Sequence, residues 1–162
     1  MNKAYKFKLV PNAEQRMLLA KTFGCCRFIY NRMLADKIAH YAETGQSLYC
    51  YPSQYKTEFP WLREVDALAL VGAYNALQSA YKNFFRDKKI GFPKFKSKHA
   101  GDNSYTTNLV NNNIALANGF LKLPKLGLGT DQAAPADTCW IQAEIGNSIA
   151  DADREILRVD PV

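Results

Sequence analysis

Histidine is scarce in this 162-residue chain: His40 and His99 are the only two, and neither stands at a metal-ligand spacing. No glycine-rich phosphate loop follows a strand pattern, and no nucleophile motif is present. No catalytic set is legible, and the carboxylate pairs Asp36/Glu43 and Glu64/Asp66 are of ordinary helix and cap type. The four cysteines, Cys25, Cys26, Cys50 and Cys139, fit neither a two-plus-two zinc pattern nor a disulfide framework, and read as buried reduced thiols. No run approaches 18 uncharged apolar residues, so no membrane span is expected. The opening MNKAYKFKLVPN lacks the apolar core of a signal peptide, so a soluble, cytoplasmic protein is expected. Charged residues at 22% and aromatics at 12% exclude a disordered or collagen-like chain.

Lysine stops at Lys125, and of 20 aromatics only Trp140 lies beyond Leu128. Residues 1–128 carry a net charge of +11, residues 129–162 a net −5. The first part therefore attracts polyanions, nucleic acid foremost. An anionic membrane is the weaker candidate, because no basic amphipathic helix with exposed Trp or Phe is evident. The acidic segment, with one weak helical window at 148–157, reads as a poorly structured tail of unrelated or frameshifted character. Its deletion is expected to change stability by no more than about 1 kcal/mol.

In the basic part, Tyr5, Phe7 and Leu9 alternate with Lys6 and Lys8, a half-buried strand over residues 4–10. Asn12 followed by Gln15 is a capping box opening a helix. Gly24 is expected to break it, so that a second helix runs over residues 25–43 with Phe28, Ile29, Met33, Ile38 and Tyr41 buried, and Gly45 caps it. Asp66 caps what reads as the longest helix, to about Lys88, with a core stripe of Leu70, Tyr74, Leu77, Tyr81 and Phe84. Strand-competent stretches follow at 104–110, 114–116 and 120–123, the last two flanking the hairpin signal Asn118-Gly119. A strand, then helices, then strands gives an α+β fold. The first strand and the C-terminal hairpin strands would form a small barrel or sheet, with a helical lobe over 12–90 inserted. One nucleic-acid-binding domain over 1–128 and a tail over 129–162 is the expected organisation.

Residues 86–98 hold six Lys or Arg and one Asp, with Phe92 and Phe95 interleaved and Phe84 and Phe85 just before. Cations neutralise phosphates, and rings stack on unpaired bases or anchor the loop. Arg27 and Asn31 share a face one turn apart on the expected second helix. The two helices around Gly24 also fit a helix-turn-helix, leaving a stand-alone DNA-binding protein or repressor as the alternative function.

The strings YKFKLVPNAEQ with TFGCCRFIYNRML, WLREVDALAL, AYKNFFRDKKIGFPKFKSK, and SYTT with NNNIALANGFLKLPKLG occur in one order. Over about 128 residues this resembles the TnpB/OrfB family of insertion-sequence transposases. That resemblance implies the N-terminal part of an RNA-guided DNA endonuclease, a barrel with a helical lobe that grips structured guide RNA and DNA. It places Tyr49–Tyr51, Ala67–Val71 and Val110–Asn111 toward a short duplex motif. The family's nuclease half uses Mg²⁺ and often Zn²⁺, so this chain is expected to hold no cofactor and to bind without cleaving. The candidate nucleic-acid contacts are Arg27, Asn31, Lys82, Arg86, Lys88, Lys89, Lys94, Lys96, Lys98, Tyr105 and Asn111.

Overall fold

The computed structural model describes residues 3–9, 11–99, 103–117, 120–128 and 139–145. It begins with strand β1 (Lys3–Leu9), helix α1 (Ala13–Thr44), helix α2 (Pro52–Glu58) and a 3-10 turn at Pro60–Arg63. Helix α3 (Ala67–Arg86) and a second 3-10 turn at Lys88–Ile90 follow. The remaining strands are β2 (Ser104–Asn108), β3 (Ala115–Ala117), β4 (Phe120–Leu123), β5 (Gly127–Leu128) and β6 (Cys139–Ile145). Two compact units result: Met1–Lys21 with Asp102–Val162, and Thr22–Gly101.

Among the described residues the expected barrel with a helical insertion does not form. Helix dominates the described residues, the three α-helices holding 32, 7 and 20 residues while no described strand exceeds seven. In the first unit β1 pairs not with the hairpin strands but with β6, antiparallel, from Lys3↔Ile145 to Leu9↔Cys139. On its other side β6 pairs with β2 in parallel, from Ser104↔Trp140 to Asn108↔Glu144. Strands β3, β4 and β5 make a separate antiparallel sheet. The reason is length. Backbone donors and acceptors of a seven-residue strand need a partner of similar reach, and β3 and β5 offer only three and two residues. The segment expected to be a poorly structured tail thus supplies the central strand of a sheet. The Asn118-Gly119 turn and the 148–157 window lie outside the described residues.

Period-two burial marks the inner faces in this unit. Tyr105 and Thr107 of β2 are buried between less buried neighbours, and Leu121 and Leu123 of β4 are buried around exposed Lys122. The capping box forms as expected: the Asn12 N–H donates to Gln15 Oε1 at 3.0 Å, and the Gln15 N–H donates to Asn12 Oδ1 at 2.9 Å.

Gly24 does not break α1. A glycine inside a helix costs about 1 kcal/mol relative to alanine. Here a continuous buried row at Gln15, Leu19, Thr22, Cys25, Ile29 and Met33 runs straight past it, and burying each large apolar side chain is worth about 1.5–3 kcal/mol. Burial outweighs propensity, and α1 rather than α3 is the longest helix. Ile38 and Tyr41, expected inside, are exposed, because the core of the second unit follows Ile29, Tyr30, Met33 and Leu34 instead. Gly45 caps α1 with φ +68°, the conformation a left-handed cap requires.

The second unit packs α1 against Cys50, Tyr55, Leu62 and Val65 and against Leu70, Ala73 and Leu77 of α3. Asp66 caps α3 by accepting the Leu68 N–H at 3.1 Å. Of the expected α3 stripe, Leu70 and Leu77 are fully buried and Tyr74, Tyr81 and Phe84 are half-buried. The Tyr55 hydroxyl donates to Asp36 Oδ2 at 2.7 Å, tying α2 to α1. Burial first, then the neighbouring Asp36, pushes that hydroxyl well above the usual phenol range.

Candidate nucleic-acid interface

The second unit carries exposed cations and rings on the end of α3, on the Lys88–Ile90 turn and on an extended strap over residues 91–98. Gly91, at φ +86°, turns the chain out of the Lys88–Ile90 turn. Phe92 then folds back edge-on against Tyr81 and Phe84, with ring centroids 5.5 and 5.4 Å away. Pro93 is buried behind it.

The strap is bracketed to α1 by one side chain. Asn31 Nδ2 donates to the Lys96 carbonyl at 2.9 Å, and the Lys96 N–H donates to Asn31 Oδ1 at 2.7 Å. The amide of Asn31 thus imitates the edge of a neighbouring strand. The Lys96 ammonium rests over the Tyr30 ring, 4.5 Å from its centroid, and partial burial lowers its pKa. Beneath it, burial pushes the Cys26 thiol up to about 12, with Cys25 adding to the effect and Lys96 opposing it. This thiol is neutral, and its Sγ donates to the Ala69 carbonyl at 3.4 Å.

Alongside the strap, Gly24, Arg27, Phe28, Asn31, Arg32 and Ala35 of α1 and Phe95 line an open groove of about 510 Å³. Their spacing, alternately three and one residues, is one face of a helix. Arg32 is held by Asp36 at 3.3 Å and Glu58 at 3.6 Å and lies over the Phe59 ring at 5.7 Å. Arg27 makes no such pair among the described residues, so its charge faces the groove uncompensated.

The candidate contacts fall into distinct positions. Lys82, Arg86, Lys88, Lys89, Lys94 and Lys98 are all exposed, and none is ion-paired among the described residues. Asp87, the acid among them, spends its carboxylate on the Lys89 N–H at 3.0 Å. Arg27 lines the groove, while Asn31 and Lys96 are engaged in fastening the strap. Two rings keep much of their surface exposed: Phe85, 73% exposed although it stacks on Tyr81 and touches Phe84, and Phe95, 57% exposed. Tyr105 and Asn111 belong to the first unit; Tyr105 is only 5% exposed, and Asn111 sits in a turn at φ +51°.

Of the segments expected to face a duplex motif, Tyr49 and Tyr51 form an exposed aromatic patch with Tyr74, centroids 5.3 and 5.2 Å apart. The hydrogen bond with Tyr49, ahead of burial, raises the Tyr51 hydroxyl to about 12. Ala67 is exposed, Ala69 and Leu70 are buried. Residue-type reasoning missed the Tyr30 platform, the Gly24–Phe95 groove and the cluster in which Trp61 meets Phe28 at 4.8 Å. No local signal joins Asn31 to Lys96 across 65 residues.

Removing the bracket should free the strap. Asn31→Ala forfeits both hydrogen bonds, worth roughly 1 kcal/mol each. Asn31→Asp keeps the acceptor but turns a carboxylate oxygen onto the Lys96 carbonyl. Amide hydrogen exchange over residues 94–98 is expected to accelerate in both variants, while the α1–α3 core keeps its protection. Unchanged exchange at Lys96 would show that the bracket does not hold the strap.

Among the described residues no three His, Cys, Asp or Glu gather where a metal ion could sit. Cys26 and Cys50 are free thiols. The described donors offer no such set to either Mg²⁺ or Zn²⁺. No described helix is long and apolar enough to cross a membrane.

The family model described as a helix-turn-helix domain, of the OrfB insertion-sequence type, matches residues 1–46, the stretch of β1 and α1. A Streptomyces pristinaespiralis protein bearing the name RNA-guided DNA endonuclease is 32% identical over 149 residues, covering 86% of this chain and 34% of that protein. That share exceeds residues 1–128, so the similarity continues past Leu128. InsQ of Escherichia coli, bearing the same name, is 33% identical over 132 residues, 76% of this chain and 32% of InsQ. The virulence protein VsdF of Salmonella dublin is 32% identical over 114 residues, 61% of this chain and 96% of VsdF. The chain spans about a third of the length of the two endonuclease relatives. Four motifs in order, the matching domain model and these relatives place it together: the chain belongs to the TnpB/OrfB family of insertion-sequence proteins.

Proposed function

We propose that this chain is a nucleic-acid-gripping part of a TnpB/OrfB protein, and that the strap and groove of its second unit hold the sugar–phosphate backbone of DNA and of a structured guide RNA. The observation that carries this reading is the strap itself. Asn31, Tyr30 and the Phe84–Phe92 contact hold it down, so that Lys94 and Lys98 stand exposed on the same strap as Phe95, which lines the groove together with Arg27. An extended segment that presents Lys94 and Lys98 outward, beside the exposed rings of Phe85 and Phe95, suits a polyanion. Sequence choice would come from pairing between guide and target, since phosphate contacts carry no base information. A repressor reading would send a helix into a major groove; the helix-turn-helix model matches residues 1–46, the stretch in which α1 runs unbroken through Gly24.

The test is a salt titration of the whole chain against a labelled RNA stem-loop and a labelled DNA duplex. With about five to eight phosphates neutralised, log affinity should fall steeply with log salt, by roughly 0.7–0.9 per contact. A flat response, or no binding to either probe at low salt, sinks the reading.

A further inference from the structure

We propose that Gly24 is the clearance residue of this interface: its missing side chain leaves the groove floor open, so that a nucleic-acid strand lies directly against the α1 backbone between Arg27 and Phe95. The inference rests on the reading of the strap and groove as a nucleic-acid interface.

Three observations converge on it. Gly24 lies inside the unbroken helix α1, where glycine weakens the helix relative to alanine. Neither usual reason for such a glycine applies. Its backbone is not in the left-handed region, unlike Gly45 and Gly91 at φ +68° and +86°. Nor does packing demand it, because a Cβ built there meets no atom within 4 Å beyond its chain neighbours and the adjoining backbone of its own helix. The space that Cβ would enter belongs to the groove, since Gly24 lines it together with Arg27 and Phe95. A residue that costs helix stability, satisfies no internal constraint and faces a cation-rimmed groove is accounted for by something that comes close from outside. Close approach of a ligand to backbone is a use of a missing Cβ that fits a groove-lining position, and the variants below set it against a flexible joint. The ligand chemistry follows from the rim: the uncompensated guanidinium of Arg27 one helical turn away takes a phosphate, and the open ring of Phe95 takes a sugar or base face.

A side chain at position 24 would therefore improve the helix and obstruct the strand. Gly24→Ala and Gly24→Leu separate this from a flexible-joint role, because alanine and leucine have similar helix propensities but very different bulk. The whole chain carrying each substitution is melted and titrated with the labelled RNA stem-loop and the DNA duplex. Gly24→Ala is expected to raise the melting temperature by about 2–4 °C. It should weaken binding about threefold, and Gly24→Leu should weaken it about tenfold or more, as overfilling a fitted space does. Loss confined to one probe identifies whether RNA or DNA occupies the groove floor. Wild-type affinity in Gly24→Leu overturns the proposal, as do equal losses in both variants or a lowered melting temperature in Gly24→Ala. If the wild-type chain binds neither probe, the interface reading falls and the clearance role falls with it.

Discussion

Ile141→Pro is expected to unfold the sheet of the first unit, at a cost of about 3 kcal/mol or more. Position 141 stands at the middle of β6, opposite Phe7 of β1 on one side and Tyr105 of β2 on the other. A central strand has no solvent-facing edge, so every N–H along it serves one neighbour or the other. Proline removes one of these donors and fixes φ where the ladder needs extended backbone. With domains stable by only 5–15 kcal/mol or so, this is a large fraction of the total. Amide hydrogen exchange reads it directly: protection over residues 3–9 and 104–108 should collapse together. Ile141→Val, which keeps the N–H and suits a strand, should retain most of that protection. Deleting residues 129–162 should act like the proline, since it strips the partner from both β1 and β2. Persistent protection of β1 after either change would show that β6 is not their common partner.

The second large effect is electrostatic. Lys94→Ala with Lys98→Ala should lower the slope of log affinity against log salt by about 1.4–1.8, two phosphate contacts at 0.7–0.9 each. The loss should be the same for unrelated sequences of equal length and shape. Lys96→Ala should behave differently, although it lies on the same strap. Its ammonium sits on Tyr30, so its removal loosens the strap and leaves the salt slope nearly unchanged. Salt titrations of the two variants on two sequences check both statements. An unaltered slope in the double variant, or a loss that depends on sequence, would remove Lys94 and Lys98 from the phosphate contacts.

Much of the local structure was legible because it depends on near neighbours. The Asn12–Gln15 capping box, the Asp66 cap, the Gly45 cap and the buried rungs Leu70 and Leu77 each follow from residues within a turn or two. The basic stretch 86–98 was legible too, since charge density along the chain is local information. Even β6 had its signal: Cys139, Ile141, Ala143 and Ile145 alternate with Trp140, Gln142 and Glu144. Composition masks it, because the acidic, lysine-free balance of residues 129–162 is a stronger signal than a period carried by seven residues.

Tertiary structure decided what depends on partners far along the chain. Whether Gly24 breaks α1 turns on a buried row that its neighbours build on either side, which outweighs about 1 kcal/mol of local propensity. The pairing of β1 turns on which strand matches its length, and that strand lies some 130 residues away. The role of Asn31 turns on a backbone segment 65 residues on, whose two hydrogen bonds convert a candidate base contact into the fastener of the strap. Residue type and periodicity set which side chains could bury or carry charge. Only the folded chain, where long-range pairing satisfies backbone groups and burial competes with propensity, settled which of them face outward to act.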